Sequence, residues 1–330
     1  MRTSSPFAVN SVSLRLYPHD ELTAPDIIAE LCGQARLAIE HDFDGVMTSE
    51  HHGGLPGYLP NPLQLTAFIL EETDRGWAAP CPLVLPLRPT AMVAEEIAWL
   101  GARHPGRVGI GVAAGALPLD FTAMGLNVKE GVQRFKVELP KIVRMLRGQE
   151  LQGLDGDRAL QQLADAPISV LSAAASPEAC RRAARCQAGI LLDGMASTER
   201  VAQLCAEYDR AGGTGGKALI RRVWVGEQRT ELIDRQRRVY QGYATSRRPF
   251  GPDQTVVSTE PHVVATKLHT LMVATGADCL NLRVHLPGIP PADIRDQIAR
   301  LADDVLPELR SLLDGDGQRH GTDGVAPVAD

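Results

Sequence analysis

Residues 82–113 read PLVLPLRPTAMVAEEIAWLGARHPGRVGIGVA. An apolar run at 82–87 is followed by an amphipathic stretch at 91–103 and a second apolar run at 108–113. Strands without polar alternation, joined by a helix, are the unit of a parallel sheet buried on both faces. The same rhythm extends in both directions. Upstream lie a strand at 11–17 (SVSLRLY), a helix at 25–41 with Thr23 as N-cap, a strand at 45–49 (GVMTS), and a helix at 62–75. Asn61 precedes that helix and Pro62 opens it, which suits a first turn whose N–H groups have no partner. Downstream, a short segment at 119–124 and a helix at 130–147 lead into a looser stretch, 148–166. Strands at 168–172, 189–192, 218–225 and 279–284 then alternate with helices at 177–186, 199–211, 229–243, 261–275 and 292–313.

Eight strands of this kind fit a closed (β/α)8 TIM barrel, an α/β fold of ~250 residues that tolerates insertions. The expected domain is a single barrel over 1–313 with short insertions. Residues 314–330 (DGDGQRHGTDGVAPVAD) show no periodicity and read as a flexible tail. A pair of Rossmann-like halves is the rival. It is weakened by Tyr17-Pro18-His19-Asp20 standing where a phosphate fingerprint would follow the first strand. Residues 109–115 have one residue too many for that fingerprint, and Gly216-Lys217-Ala218 lacks the hydroxyl of a P-loop.

The 330 residues carry 34 Lys+Arg against 40 Asp+Glu, a net charge of −6, with 44% hydrophobic residues. Only five of the basic residues are lysine, and the arginines are scattered, so no basic stripe suits nucleic acid. No apolar run approaches the ~20 residues of a membrane span. The start, MRTSS, has no secretory core, and six irregularly spaced cysteines read as reduced thiols. The expectation is a cytoplasmic protein that binds neither nucleic acid nor membrane.

Barrel enzymes carry their chemistry at the C-terminal strand ends. Those positions are Tyr17, Glu50-His51-His52, Arg88, Ala114-Gly115, residues 173–176, Asp193-Gly194, Gly226-Glu227 and Arg283-Val284-His285. A strand-end imidazole suits general acid–base work near neutral pH. Adjacent histidines point to different sides, so one of the pair faces the site. No zinc-ligand spacing and no G-x-S-x-G elbow occurs, so no metal and no serine nucleophile is expected.

Several of these pieces recur in order: Ser49-Glu50-His51-His52, Pro60-Asn61-Pro62, Leu85-Pro86-Leu87-Arg88-Pro89 and Ala94-Glu95-Glu96-Ile97-Ala98. They continue with residues 106–112, 121–125, Arg134, 258–261, 281–284 and Val305-Leu306-Pro307. This ordered set, over roughly residues 11–312, resembles the bacterial luciferase-like flavin-dependent oxidoreductases.

The resemblance implies a (β/α)8 barrel that binds reduced FMN, or F420 in some branches, at its mouth. His51 then lies beside the flavin, and Arg134 with the backbone of Ala174, Ala175 and Ser176 contributes to the phosphate pocket. Losing Arg134 is then expected to weaken flavin binding by about 1.5–3 kcal/mol. Ala114 and Gly115 at the end of the fourth strand and Gly194 at the end of the sixth are likewise implied as cofactor-binding. A cis peptide against the ring falls at Cys81–Pro82. Ala114 departs from the pattern, since luciferase itself has an arginine there.

The implied activity is a flavin-dependent monooxygenase using reduced FMN and O2 through a C4a-peroxyflavin to oxidise a small organic substrate. Leu87, Met124 and Leu126 are expected as apolar lining, and Tyr17, Arg88, Arg283 and His285 as substrate contacts. F420-dependent hydride transfer and a non-catalytic partner subunit are the alternatives. The family's habits also imply a separate flavin reductase and a homodimer. Replacing His51 by Ala is expected to leave folding intact and to reduce turnover sharply.

Overall fold

The computed structural model describes residues 4–151, 153–243 and 254–320. Its elements are β1 (Val12–Arg15), α1 (Ala24–Glu40), β2 (Gly45–Thr48), α2 (Pro62–Glu71), β3 (Trp77–Pro80) and β4 (Leu83–Val84). There follow α3 (Thr90–Arg103), β5 (Ile110–Ala113), α4 (Pro118–Ala123), α5 (Val128–Met145), α6 (Arg158–Gln162), β6 (Val170–Ala173), α7 (Pro177–Arg185), β7 (Gly189–Leu192) and α8 (Thr198–Arg210). The chain continues through β8 (Lys217–Val225), α9 (Thr230–Tyr243), β9 (Val256–Ser258), α10 (Pro261–Thr275), β10 (Cys279–Arg283), α11 (Pro291–Arg300) and α12 (Leu306–His320).

Helix starts fall where side-chain acceptors precede proline. Thr23 caps α1, Asn61 accepts from the Gln64 N–H at 3.1 Å, and Ser176 caps α7 ahead of Pro177. A π-helical segment, Leu301–Val305, joins α11 to α12. The last helix runs on to His320, so residues 314–320 of the expected tail are helical, and 321–330 lie outside the described residues.

All strands run parallel in the order β3-β2-β1-β10-β8-β7-β6-β5-β4, with β9 on the flank of β8. The ring closes where the Ala78 N–H donates to the Arg107 carbonyl and the Gly109 N–H to the Ala78 carbonyl. Since β3 and β4 occupy one stave, the architecture is the expected eight-stave barrel.

One stave corrects the sequence reading. The third strand begins at Trp77, five residues before the apolar run at 82–87. Only Leu83–Val84 of that run is strand, and Leu85–Leu87 form a 3-10 turn. Pro82 and Pro86 have no N–H to give a ladder, so the apolar run cannot be one continuous strand. Between the two pieces the Cys81–Pro82 peptide is cis, at the position the resemblance implies.

Two apolar clusters result. The larger lies between strands and helices. The smaller gathers Phe7, Met47, Trp77, Ala79, Cys81, Leu171, Leu191, Ala218 and Cys279. Apart from Phe7 and Cys81 these belong to β2, β3, β6, β7, β8 and β10 and fill the interior of the ring, with Phe7 edge-on to Trp77 at 5.2 Å. Gly111 belongs to this packing: a Cβ there would stand 2.2 Å from Cys81 Sγ. Gly111 is thus a packing residue of a barrel strand and not part of a nucleotide loop.

Candidate active site

Above the interior cluster the strand ends open into a cavity of about 650 Å3, a size suited to a small-molecule site. Leu191 and Ile220 form its base. One side is made of small residues: Pro82, residues 113–116, residues 173–175 and Gly194. Gly115 has φ +74, and a side chain there would meet Val84 and Phe121.

His51 leaves the end of β2 and lines this cavity. Its Nδ1 stands 2.9 Å from Oδ2 of Asp120, a fully buried carboxylate in the first turn of α4. The other oxygen, Oδ1, accepts from the His52 backbone N–H at 2.7 Å. A carboxylate accepting a hydrogen bond from Nδ1–H fixes the tautomer and leaves Nε2 as the ring's available nitrogen. Tyr58 meets the imidazole edge-on, with centroids 4.4 Å apart.

Behind His51 sits a second ionic group. Glu50 is buried, with Oε1 2.7 Å from both His52 Nε2 and Arg88 Nη1. Its Oε2 accepts from the Val84 N–H at 2.6 Å. Glu50 thereby ties β2 to β4 across the cis bond. Arg88, read as a substrate contact, is consumed in this pairing and does not line the cavity.

The β1–β10 side is different. Arg15 is buried, donating from Nε to Asn281 Oδ1 at 2.6 Å and from Nη2 to the Cys81 carbonyl at 3.0 Å. Arg283 places its guanidinium 4.0 Å from the centre of the Tyr17 ring and donates from Nε to the His285 carbonyl. Burial pushes the Tyr17 phenol up, but the charges of Arg283 and Arg15, with hydrogen bonds from Tyr58 and Arg15, outweigh it, so the phenol ionises below its ordinary value. His285 does not face the cavity. It stacks behind Tyr17, and burial, then the charge of Arg283, hold its imidazole well below the usual range.

Of the other sequence candidates, Tyr17, Pro82, Ala114, Gly115, Ala174, Ala175, Gly194 and Arg283 line the cavity. Cys81 lies just behind the lining, its thiol pushed up to about 12 by burial. Ser176 turns its hydroxyl to the Ala179 N–H as a cap. Arg134 stands half-buried on α5 near Glu138, outside the lining. Leu87, Met124 and Leu126 do not line it either; Leu55, Leu117 and Met195 do.

Sequence reasoning missed Asp120, Arg15, Tyr58, Ser49, Arg222 and Arg200. Ser49 lines the cavity with a buried hydroxyl that has no partner among the described residues. Arg200, on α8, donates to the Ala175 carbonyl at 3.1 Å. Asp120 left one legible signal, a carboxylate between Leu119 and Phe121 in a short apolar segment.

Among the described residues no helix is long and apolar enough to cross a membrane. A model of the luciferase-like monooxygenase family matches residues 12–302. An F420-dependent glucose-6-phosphate dehydrogenase of Beutenbergia cavernae is 28% identical over 176 residues, 49% of this chain and 52% of that protein. The alpha chain of an alkanal monooxygenase of Photorhabdus laumondii is 26% identical over 115 residues, 35% of this chain and 32% of that protein. The matches thus span about half or a third of these relatives. Among solved structures, the oxygenating constituent of a Pseudomonas putida 3,6-diketocamphane monooxygenase, in complex with FMN, superposes with a TM-score of 0.70 at 19% identity. It covers 92% of this chain and 99% of that one, a likeness of fold. With the barrel and its mouth on one side and a family match over nearly the whole barrel on the other, the chain belongs to the luciferase-like monooxygenase family.

Proposed function

We propose that the chain is a monooxygenase that uses reduced FMN and O2 on a small organic substrate. The observation that carries this reading is the His51–Asp120 pair, held at the edge of a cavity walled by small residues. A cavity of about 650 Å3 would take a flat tricyclic ring against that wall, and the Ser49 hydroxyl, unpartnered among the described residues, would offer a polar contact for its edge. Reduced FMN would supply the electrons that activate O2. The residues 173–175 and Arg200 would hold its phosphate side, while Arg134 stands farther from the lining.

This chain's own contribution is proton control and dryness. His51 keeps one proton toward Asp120 and presents Nε2 to the cavity, so it gives or takes a proton there without turning its ring. Leu55, Leu117, Leu191 and Ile220 exclude water around it. A homodimer suits the exposed Phe68 of α2 and the exposed Met92 and Trp99 of α3, which light scattering of the purified chain would test. A separate reductase and a cytoplasmic setting complete the reading, the latter in keeping with six unpaired thiols.

F420-dependent hydride transfer is the second reading, favoured by the 28% identical relative that uses F420. Titration with reduced FMN, oxidised FMN and F420, alongside oxygen consumption, separates the two. Saturable binding of reduced FMN with oxygen uptake is expected. Tight F420 binding without oxygen uptake reverses the order, and no saturable binding leaves a non-catalytic partner subunit.

A further inference from the structure

Arg15 is a buried cation without a counter-charge. It stands on β1 at 2% exposure and lines the cavity. Its Nε donates to Asn281 Oδ1 at 2.6 Å and its Nη2 to the Cys81 carbonyl at 3.0 Å. Both acceptors are neutral, and among the described residues no carboxylate pairs with it. The acids around the cavity are engaged elsewhere. Glu50 is taken up by Arg88 and His52, and Asp120 by His51. Asp193 stands exposed at the rim, with Oδ1 on the Met195 N–H at 3.0 Å.

The position of Arg15 is built from below. Asn281 Nδ2 donates to Ser13 Oγ at 2.9 Å, and Ser13 Oγ donates to the Leu280 carbonyl at 3.1 Å. The amide nitrogen of Asn281 is thereby committed and its oxygen aimed at Arg15. Bonds at both Nε and Nη2 hold the planar guanidinium in one orientation.

A buried charge is normally paired, because leaving it alone is costly. Neutral oxygens solvate a guanidinium but do not cancel its charge, so the missing counter-charge has to arrive with the occupant of the cavity. We propose that Arg15 is an anion-binding residue, which the occupant meets with a planar, negatively charged edge. Two sources have that chemistry. One is the ring of reduced FMN, an N1 anion above neutral pH, whereas the oxidised ring is neutral there. The other is a carboxylate or enolate of the substrate. The assignment rests on reading this cavity as the reaction site. It does not call on Arg222 or Arg283, which border the same cavity with partners of their own, Gln236 for the first and the His285 carbonyl and Tyr17 ring for the second.

Equilibrium titrations at mildly alkaline pH test it with two pairs of probes that differ by one charge. The pairs are reduced against oxidised FMN, with oxygen excluded, and benzoate against benzamide. Both FMN forms carry the same phosphate, so their difference reports on the ring. In the wild-type chain the anion of at least one pair is expected to bind more tightly than its neutral counterpart. Arg15→Gln is expected to weaken that anion about tenfold or more, the worth of a hydrogen bond to a charged group, and the neutral probe less than about twofold. Arg15→Lys keeps the charge and is expected to retain most of the preference. The pair that responds identifies the source of the anion.

Equal weakening of anion and neutral probe would give Arg15 a structural role and overturn the proposal. Both anions binding Arg15→Gln as they bind wild type would overturn it too. Where Arg15→Gln does not fold, the wild-type preference decides, and its absence from both pairs overturns the proposal. If FMN binds with oxygen uptake and Arg15→Gln changes neither form, the monooxygenase reading stands without this one. A chain that binds no FMN ends that reading, and benzoate against benzamide still decides this one.

Discussion

The two sides of the cavity handle charge in opposite ways. On the β2–β4 side each buried carboxylate has side-chain partners: Asp120 has His51, and Glu50 lies between His52 and Arg88. On the β1–β10 side Arg15 bonds Asn281 and a carbonyl, and the contacts of Arg283 include a carbonyl and the face of Tyr17. Matched pairs fix geometry, because each side chain has one low-energy place to be. Cations bonded to neutral oxygens keep most of their field, which acts on whatever enters the cavity. The first side therefore orients, and the second attracts.

The sharpest way to break this contrast is at His51. Its replacement by Ala is expected to lower turnover by ~10²–10⁴, the usual worth of a positioned acid–base group. Oxidation of reduced FMN by the variant in the presence of O2 gives the rate. The same change is expected to lower stability by about 1–3 kcal/mol, since fully buried Asp120 would keep only the His52 N–H as donor. From the sequence, position 51 looked like a loop residue that could be removed without harm to folding. Its buried partner changes that expectation, and a variant as stable as wild type would place Asp120 outside the ionic scheme.

Glu50→Gln tests whether the matched side also carries the fold. Removing one partner of a buried pair strands the other, at a cost of about 3 kcal/mol once the partial exposure of Arg88 is allowed for. Urea denaturation reads this directly. A loss below about 1 kcal/mol would mean that Glu50 orients Arg88 and His52 without supporting the barrel.

What the sequence revealed of these two sides follows from the range of the interactions. The barrel itself was legible because strand and helix periodicity is local, and caps such as Thr23 and Asn61 act within three residues. His51 was legible as a strand end. Its partner was not, because Asp120 lies 69 positions away and no local pattern records that pairing. The third stave failed for the opposite reason. Local composition favoured PLVLPL over the plainer Trp77–Pro80, and only the register of β3 with β2 shows which one joins the ladder. Arg88 misled in a further way: a mouth arginine reads the same whether it awaits an anion or already has Glu50.

The phosphate end of the cavity sharpens the comparison next. Arg200 bonds the loop after β6, whereas Arg134 stands away from the lining. Arg200→Ala is expected to weaken reduced-FMN binding by about 1.5–3 kcal/mol, the worth of a hydrogen bond to a charged group. Arg134→Ala is expected to leave the Kd within about twofold of wild type, by equilibrium titration of both variants. The reverse order would restore Arg134 to the site.

The smallest effect belongs to His285, behind the attracting side. Burial, then Arg283, keeps its imidazole neutral far below the usual range. In the unfolded chain the same group takes up a proton at about pH 6.5. As the pH falls below that value the unfolded state therefore binds a proton that the folded state refuses, and stability falls with it. Between pH 6.5 and 5.5 the loss from this one group is about 1 kcal/mol. A His285→Phe variant keeps a ring against Tyr17 and has nothing to protonate, so its stability should decline less steeply over that interval by about the same amount. Denaturation curves at the two pH values measure the difference. Equal slopes for the two proteins would mean that the folded state accommodates a charged His285, so that the cations of the β1–β10 side act on a mouth more open to water than its burial indicates.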